Sequence, residues 1–543
     1  MDSQALFAAV WLTAQVFGPI GIKAVIRQLA ACASVIAAVL ALAGCASLPE
    51  NVQRSVSTTR TDVSDTRLAV IAAASAPEGG HGLSGLRLLP EGDQAFDARI
   101  ALTRRAEKSL DLQYYQLAVD QSGLTLLREL RDAAARGVRV RLLLDDLYAA
   151  GECGLLQGLA AHPNVELRLF NPLPARKGGL GTRIVMSLHE LSRINRRMHN
   201  KLFIADASFA LAGGRNIGDD YFGRNATAHF IDFDVLISGP AVAELGNVFD
   251  RFWNSEHAYP VQSLAGAGTS PALASARFDE RVAALHRKVA AAGAVSTTGV
   301  EEQLERGRIE QHFAPVRVLA DAPTKIDDDR PERGDGAVMS ATLALLRSAE
   351  TEVMLASPYF IPGRPTLTTL QDAAARNVKI EVLTNSLMTT DEALVHIGYA
   401  RYRMALLRMG VGLYELMPRP STGAQAASGA HGSLGRLHAK LAVVDRRWLF
   451  IGSMNMDQRS ARLNTEVGLV IDSPELAAEV SDLLRRVHLP TSYELRLNHT
   501  SQQIEWQSGS ADARRVLHAE PGARTQPHFE RRVISILVKE EML

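Results

Sequence analysis

The sequence predicts an α/β fold that is built twice, as two duplicated domains packed with pseudo-twofold symmetry, each with a mainly parallel central sheet flanked by helices. From Gly85 onward, short apolar runs alternate with amphipathic stretches, which is the pattern of strands and helices that take turns along a chain. The same order returns from Val316, and the run Asp132-Ala-Ala-Ala-Arg136 recurs unchanged 240 residues later. A polar motif also occurs twice, 239 residues apart. Because the two offsets nearly agree, whole domains are duplicated, and we expect the active centre at their interface.

Strands and helices alternate in the same order in both copies. In the first copy the pattern predicts a strand at 86–89, a helix at 94–108, a strand at 110–115, a helix at 123–136 and a strand at 138–145. In the second copy the matching elements are 316–319, 337–348, 353–359, 367–376 and 378–384. We therefore expect a first domain over 81–260, an interdomain segment over 261–315, and a second domain with a C-terminal extension over 316–543.

An export leader is expected over residues 1–45. Lys23 and Arg27 precede an apolar run at 29–40, which ends in Leu42-Ala-Gly-Cys45. This ending resembles a bacterial lipoprotein cleavage box, which implies that Cys45 is lipidated and that the protein is anchored to a cell-envelope membrane on the periplasmic side; an uncleaved signal anchor is the alternative. Residues 46–80 are rich in Ser, Thr and Ala and are expected to form a flexible tether.

Composition narrows the class of protein. Lys plus Arg equal Asp plus Glu at 59 each, so no net charge favours nucleic acid as a partner. Of three cysteines, Cys32 and Cys45 fall within the leader, which leaves only Cys153 in the body of the chain. A disulfide framework is therefore excluded.

The repeated motif is H-x-K-x4-D-x6-G-[GS]-x-N. It comprises His199, Lys201, Asp206, Gly213, Gly214 and Asn216 in the first copy, and His438, Lys440, Asp445, Gly452, Ser453 and Asn455 in the second. The apolar run after each Lys predicts a strand, on which His and Lys share a face. The Asp falls on the other face at the strand end, where a carboxylate can accept backbone N–H groups. A following hairpin would return the small residues and the Asn toward His and Lys, and small residues let a ligand approach closely.

These residue types favour phosphoryl transfer through a phosphohistidine. A neutral imidazole is nucleophilic, Lys and Asn can hold phosphoryl oxygens, and a second imidazole can protonate the leaving alkoxide. A single His-x-Lys would be an edge or core feature, but periodicity gives no reason to repeat these residues at fixed offsets. We expect Asp232 to orient His199 and Glu466 to orient His438 through the other ring nitrogen, with strand-end capping as the alternative for both carboxylates.

Other residues near the motifs are open to two interpretations. Arg193, Arg196 and Arg197 directly precede the first motif, where they would bind anionic lipid head groups or guide a phosphate into the cleft, whereas the basic residues from Arg176 to Arg183 favour a solvated helix face. The tyrosines Tyr114, Tyr115 and Tyr359 end predicted strands, and substrate contact and core packing fit them equally.

The doubled motif resembles the phospholipase D superfamily, and its flanks are similar to bacterial cardiolipin synthases of the C type. The similar flanks are 109–115, 139–146, 195–201 and 213–222. The resemblance covers about residues 80–543. It implies phosphatidyl transfer between phospholipids at a membrane, with phosphatidylglycerol and phosphatidylethanolamine as candidate substrates, and catalysis by the motif residues without a metal or other cofactor.

Four alternatives remain. A hydrolytic phospholipase D would differ only in using water as the acceptor. A nuclease would use the same site, but the sequence has no long basic groove with interleaved aromatic residues. A noncatalytic membrane-binding lipoprotein would not need two intact motifs. A metal-dependent phosphodiesterase is disfavoured because neither motif has a cluster of carboxylates and histidines at ligand spacing.

Overall fold

The structure is a computed structural model of the 543-residue chain. It describes residues 47–149, 152–225, 228–264, 270–290, 299–327, 336–418, 434–498, 500–509 and 514–523. The expected leader at 1–45, with lipidation at Cys45, lies outside the described residues.

Nine strands of the described chain form a first sheet. They are β1 (Ser84–Leu89), β2 (Ser109–Tyr114), β3 (Arg139–Asp145), β4 (Val165–Phe170), β5 (Leu202–Ala205), β6 (Phe209–Gly213), β8 (Asp234–Ser238), β9 (Ala258–Pro260) and β10 (His312–Ala314). Their order across the sheet is β10-β1-β8-β6-β5-β2-β3-β4-β9. Strand β7 (Ala228–Ile231) lies outside this sheet.

Ten strands of the described chain form a second sheet. They are β11 (Val316–Ala320), β12 (Glu352–Ala356), β13 (Lys379–Asn385), β14 (Gly412–Leu416), β16 (Leu441–Val444), β17 (Trp448–Gly452), β18 (Val467–Asp472), β19 (Ser492–Leu497), β20 (Ile504–Ser508) and β21 (Arg515–Leu517). Their order is β11-β18-β17-β16-β12-β13-β14-β19-β20-β21. Strand β15 (Leu434–Leu437) pairs in parallel with β7, which joins the two halves.

The helices cover the sheets. They are α1 (Arg67–Ser75), α2 (Gly92–Arg105), α3 (Gln121–Ala135), α4 (Cys153–Ala160), α5 (Leu180–Met186), α6 (Leu191–Ile194), α7 (Pro240–Trp253), α8 (Pro271–Ala290), α9 (Gly299–Glu305), α10 (Ala337–Arg347), α11 (Gly363–Ala375), α12 (Ala393–Ala400), α13 (Arg403–Arg408), α14 (Gln458–Arg462) and α15 (Pro474–Leu483). Polar N-caps fix several starts: Asp120 accepts the Gly123 N–H ahead of α3, and Ser473 accepts the Leu476 N–H ahead of α15.

The duplication is confirmed, but the expectation of mainly parallel sheets is wrong. The strand series β1-β8-β6-β5-β2-β3-β4 matches β11-β18-β17-β16-β12-β13-β14. In each series only the last two pairs, which are joined by helical crossovers, are parallel. The two strands of each motif hairpin are joined by a short turn, which makes them antiparallel, and the strand that follows after a longer connection also pairs antiparallel in the same sheet. The alternation of strands and helices along the sequence did not reveal that the motif hairpins are part of the same sheets, which is why the sheets were expected to be mainly parallel.

Alternate residues of each motif strand face different cores. In β5, Leu202 and Ile204 face a central core between the two sheets, whereas Phe203 and Ala205 face the outer core of the first domain. Strand β16 alternates in the same way between the central core and the outer core of the second domain. Apolar residues of α7 and α15 also belong to the central core. The two domains therefore share one apolar layer, which holds the motif strands in fixed relative positions.

The expected flexible tether at 46–80 is instead packed on the first domain over much of its length. Thr59 donates its N–H to Asp250 at 2.8 Å, and Arg54 donates to the carbonyl of Ala258 at 3.0 Å. The buried Arg141 of β3 donates to the carbonyl of Ser57 at 3.0 Å. Helix α1 follows, capped by Thr66. The buried guanidinium of Arg141 needs several acceptors, and the segment before α1 supplies some of them. Composition alone did not reveal this packing.

The expected interdomain segment at 261–315 belongs largely to the first domain. Strand β10 pairs with β1 at the edge of the first sheet, and helix α8 packs against α3 and α4. The next strand, β11, pairs with β18 in the second sheet. The chain therefore passes between the sheets at Pro315.

Candidate active site

His199 lies where the two domains meet. Its backbone N–H donates to the carbonyl of Thr465 in the second domain at 2.9 Å. Its ring Nδ1 lies 3.1 and 3.0 Å from the two carboxylate oxygens of Glu466. Glu466 is fully buried and also accepts a short hydrogen bond from the Ser453 hydroxyl. The His199 ring is therefore oriented by a carboxylate of the opposite domain.

His438 has the reciprocal environment. Its backbone N–H donates to the carbonyl of Ile231 in the first domain at 2.8 Å. Its ring Nδ1 lies 2.6 Å from Oδ2 of Asp232, which is fully buried. Each domain thus supplies one imidazole and the carboxylate that orients the other imidazole, as a twofold relation between the domains requires.

The expected pairing of the carboxylates is wrong. The sequence suggested that Asp232 orients His199 and that Glu466 orients His438, each within one domain, whereas the structure crosses them. The physical reason is the interface: Glu466 follows Thr465, the residue whose carbonyl holds the His199 backbone. Spacing along the chain does not distinguish a partner in the same domain from one in its twin.

Burial keeps both imidazoles neutral. It lowers the pKa of His199 to about 4, with Lys201 and Lys440 adding to the effect against the opposing charge of Glu466. Burial likewise lowers the pKa of His438, and Lys440 adds to this. Because Nδ1 of each ring faces a carboxylate, the second nitrogen, Nε2, is left for a substrate, and it has no hydrogen-bond partner among the described residues.

Both orienting carboxylates are ionised. Burial alone would raise the pKa of Asp232, but the adjacent His438, Lys440 and Arg215 together hold it at about 2. Burial likewise opposes ionisation of Glu466, yet His199 and neighbouring groups hold its pKa below the ordinary value. A neutral imidazole beside an ionised carboxylate is suited to take up positive charge during a reaction.

The motif lysines are buried beside the histidines. Lys201 Nζ donates to the carbonyl of His199 at 2.7 Å, and Lys440 Nζ donates a short hydrogen bond to the carbonyl of His438. Burial lowers the pKa of Lys440 to about 8 and that of Lys201 well below its ordinary value. A bound anion would favour the charged form of both ammonium groups, so the pair is suited to a phosphodiester.

The small residues of the motif make room for the carboxylates. A Cβ at Gly214 would lie 2.1 Å from Oδ1 of Asp232, so the first copy requires glycine here. The equivalent Ser453 donates its hydroxyl to Glu466. We expected these positions to admit a ligand to the backbone, but their contacts are with the orienting carboxylates.

The motif asparagines differ in their partners. Asn216 Oδ1 accepts the Gln116 N–H at 3.3 Å, and its Nδ2 donates to the Tyr221 hydroxyl at 2.9 Å. One N–H of that amide remains, because an NH₂ group carries two hydrogens. Asn455 Oδ1 is buried without a hydrogen-bond partner among the described residues.

The motif aspartates have a structural role. Asp206 accepts the backbone N–H groups of Glu107, Lys108 and Ser109 at 2.8 to 2.9 Å. Asp445 accepts three successive N–H groups at 350–352 in the same way. Both carboxylates hold the start of the neighbouring strand, β2 or β12, as the capping interpretation predicted, and their contacts do not involve the histidines.

Aromatic rings flank both histidines. The rings of Tyr115 and His199 are 5.0 Å apart, and those of Tyr221 and His438 are 5.2 Å apart. Phe230 also packs on His438 at 5.0 Å. Sequence reasoning missed Tyr221 and Phe230; their nearness to Asn216 and Asp232 along the chain was the available signal.

Tyr114 and the arginines are structural, whereas Tyr359 donates its hydroxyl to Asp391 at 2.8 Å. Tyr114 is buried in the core of the first domain, where its hydroxyl accepts Arg99 Nε at 3.0 Å. The expected lipid-binding arginines are tied to protein acceptors instead. Arg193 donates to the Pro172 carbonyl, Arg196 to the Ile326 carbonyl, and Arg197 to Asp145 and the Asn171 carbonyl. They position the segment that leads into His199.

Comparison with known proteins agrees with this geometry. A family model described as "Cardiolipin synthase, PLD-like domain" matches residues 100–253 and 342–488. Cardiolipin synthase C of Escherichia coli is 37% identical over 471 residues, which cover 85% of this chain and 97% of that protein. Cardiolipin synthase B of Salmonella typhi is 26% identical over 402 residues, which cover 74% of this chain and 80% of that protein.

A solved structure shows the same fold. The crystal structure of phosphatidylserine synthase from Haemophilus influenzae covers 87% of this chain and 99% of its own, with a TM-score of 0.55 and 14% sequence identity. The two stretches that match the family model each contain one copy of the motif. The chain therefore belongs to the phospholipase D superfamily, as a cardiolipin synthase-like enzyme.

Proposed function

We propose that the protein is a phosphatidyl transferase that acts through a covalent phosphohistidine at membrane phospholipids. The observation that carries the proposal is the crossed pair of histidine–carboxylate contacts, because it brings two neutral imidazoles with free Nε2 atoms into one buried site. Two such groups are what a double displacement at one phosphorus needs.

In the first half-reaction His199 is the nucleophile. Its Nε2 attacks the phosphorus of a donor phospholipid, and the bond from phosphorus to the head-group oxygen breaks. His438 gives a proton to the departing alkoxide. The substrate phosphate favours protonation of His438, since a nearby anion raises the pKa of an imidazole, and ionised Asp232 supports the imidazolium from the other side.

In the second half-reaction His438 is the base. It takes the proton of the acceptor hydroxyl, whose oxygen attacks phosphorus, and the phosphorus–nitrogen bond to His199 breaks. With phosphatidylglycerol as acceptor the product is cardiolipin, and with water it is phosphatidic acid. Phosphatidylglycerol and phosphatidylethanolamine are the proposed donors.

Lys201 and Lys440 hold the phosphoryl oxygens. Their buried ammonium groups lie beside the histidines and need no movement to meet the charge that develops. Asn216 and Asn455 add amide N–H donors to the phosphoryl oxygens: one N–H of the Asn216 amide is left after its bond to Tyr221, and Asn455 would donate through its own NH₂ group. Asp232 and Glu466 do not touch substrate in this scheme and act by positioning the rings.

The leader supports a place at the cell envelope. No helix in the described part of the chain is both long and apolar enough to span a bilayer. Lipidation at Cys45, followed by the packed segment before α1, would hold the catalytic domains at the periplasmic membrane surface.

The test is the lipid profile of a strain that lacks its other cardiolipin-forming enzymes. Expression of the chain should produce cardiolipin, and expression of His199→Asn at an equal level should not. Phosphatidic acid without cardiolipin would overturn transfer in favour of hydrolysis. No change in any phospholipid would overturn the activity itself.

A further inference from the structure

Segment 180–194, between β4 and the first motif, buries two polar side chains and exposes three apolar ones. It comprises α5, a short turn and α6. Arg183 is fully buried, where its Nε donates to the Ala175 carbonyl at 2.9 Å and its Nη2 donates to Asp146. Ser187 is also buried, and its hydroxyl accepts the Ala175 N–H. By contrast, three apolar side chains on the same segment, Val185, Leu188 and Leu191, are exposed.

Exposed apolar side chains concentrate around the active-site edge. Eleven large apolar side chains of the described chain are exposed, and six of these lie in three loops. The six are Tyr148, Val185, Leu188, Leu191, Met388 and Leu394, each between 36% and 48% exposed. Exposed apolar side chains that concentrate at one edge of a domain mark an interaction site.

The topology places these loops beside the histidines. The loops follow the carboxyl ends of β3, β4 and β13, which are parallel strands within their sheets. The motif strands β5 and β16 are antiparallel to the first strand of each parallel set, so the residues just before them, including His199 and His438, lie at that same edge. All six side chains therefore surround the entrance to one cleft.

A chain of rings connects this rim to the site. Tyr148, at the exposed end, packs edge-on against Tyr115 with ring centroids 5.2 Å apart. Tyr115 in turn packs on His199. The two ring contacts thus connect the exposed Tyr148 to the His199 ring.

We propose that these six residues, called here the docking rim, insert into a lipid bilayer and bring the cleft against the head groups. The inference rests on the proposed function, since a two-chain phospholipid must present its phosphate to buried histidines while its acyl chains stay in an apolar medium. An apolar face turned outward over a polar anchor is unfavourable in water and favourable at a membrane interface. The docking rim therefore selects aggregated lipid over the same head group in solution.

Fluorescence tests the depth of the docking rim. The test uses the full chain carrying His199→Asn, which turns over no lipid. A tryptophan reporter is placed on the docking rim by Leu188→Trp. The matched control is Leu273→Trp on α8, since Leu273 is exposed to a similar degree. Vesicles of phosphatidylcholine and phosphatidylglycerol with brominated acyl chains should quench the reporter at 188 at least about twofold more than that at 273. Equal quenching at both positions overturns the proposal.

Steady-state kinetics test whether the enzyme uses the docking rim when it acts on phospholipid in a bilayer. Val185→Ser, Leu188→Ser and Leu191→Ser combined should lower kcat/KM on vesicle phospholipid by about 10- to 100-fold, because three apolar side chains no longer enter the bilayer. Activity on monomeric dibutanoyl phosphatidyl-p-nitrophenol should be unchanged. The control triple, Val56→Ser, Val70→Ser and Leu273→Ser, should leave both activities unchanged.

The two proposals fail in different ways. An equal loss on vesicle and monomeric substrates, or an equal loss in the control triple, overturns docking by the rim. If the wild-type chain processes neither substrate, the proposed function fails, while quenching at residue 188 still decides whether the rim enters a bilayer.

Discussion

The crossed arrangement of histidines and carboxylates can be tested by changing the leaving group. If Asp232 serves His438 and His438 is the acid, Asp232→Asn should slow the release of a natural head-group alcohol, which must leave with a proton. The buried contact at 2.6 Å is a charge-assisted hydrogen bond, and losing about 1.5–3 kcal/mol of such support corresponds to about 10- to 150-fold in rate. Glu466→Gln should cost a similar factor, because the phosphorylated His199 ring carries positive charge beside it.

The assay compares a natural phospholipid with phosphatidyl-p-nitrophenol, whose p-nitrophenolate departs without a proton. With the activated substrate, Asp232→Asn and His438→Asn should regain a fast burst of one p-nitrophenolate per enzyme, followed by slow turnover because the base for the second half-reaction is impaired. Glu466→Gln and His199→Asn should not regain it. The four variants thus report which carboxylate acts with which histidine.

The outcome separates two questions. Joint rescue of Asp232→Asn with His438→Asn, or of Glu466→Gln with His199→Asn, upholds the crossed pairing, and the identity of the rescued pair shows which histidine is the acid. Rescue of Glu466→Gln together with His438→Asn would refute the crossed pairing and restore the uncrossed arrangement.

Two further predictions concern pH and packing. In the free enzyme the pKa of the acid His438 is lowered from its ordinary 6.5, so kcat/KM should already decline as the pH rises toward 6.5, and it should decline more steeply above about pH 8, where the Lys440 ammonium is lost. On the acid side kcat/KM should fall below about pH 4, where His199 becomes protonated. The folded-state pKa of Lys440 lies below its ordinary 10.5, so unfolding takes up a proton between these values, and this group by itself makes stability rise with pH there. Loss of the Lys440 ammonium therefore lowers activity without destabilising the fold, and a thermal melt at each pH separates this loss of activity from unfolding. Gly214→Ala should abolish activity, because the added Cβ displaces the Asp232 carboxylate. Ser453→Ala only removes a hydroxyl from Glu466, so it should lower kcat/KM by about 10-fold or less. Equal activity of the two variants at equal thermal stability would contradict this reasoning.

Local features of the site followed from sequence because they depend on spacing within one segment. The hairpin that follows His199 and Lys201 and the capping role of Asp206 both hold in the structure, whereas the predicted strand begins only at Leu202, so that His199 and Lys201 precede it. The family resemblance was likewise carried by short motifs, and the family comparison bears it out. Whether Tyr114 and Tyr115 pack in a core or face the site could not be predicted from the local sequence. In the structure Tyr114 faces a core, whereas its neighbour Tyr115 faces the site.

By itself the sequence determined that this protein consists of two copies of an α/β unit with a histidine and a lysine beside each motif strand, since periodicity and repetition are properties of the chain alone. Only the tertiary structure decided that the carboxylates cross, that the segment before α1 packs on buried arginines, and that segment 180–194 exposes three apolar side chains while it buries Arg183. Each of these depends on contacts between segments far apart in the chain, and such contacts are set by how the two domains share one core.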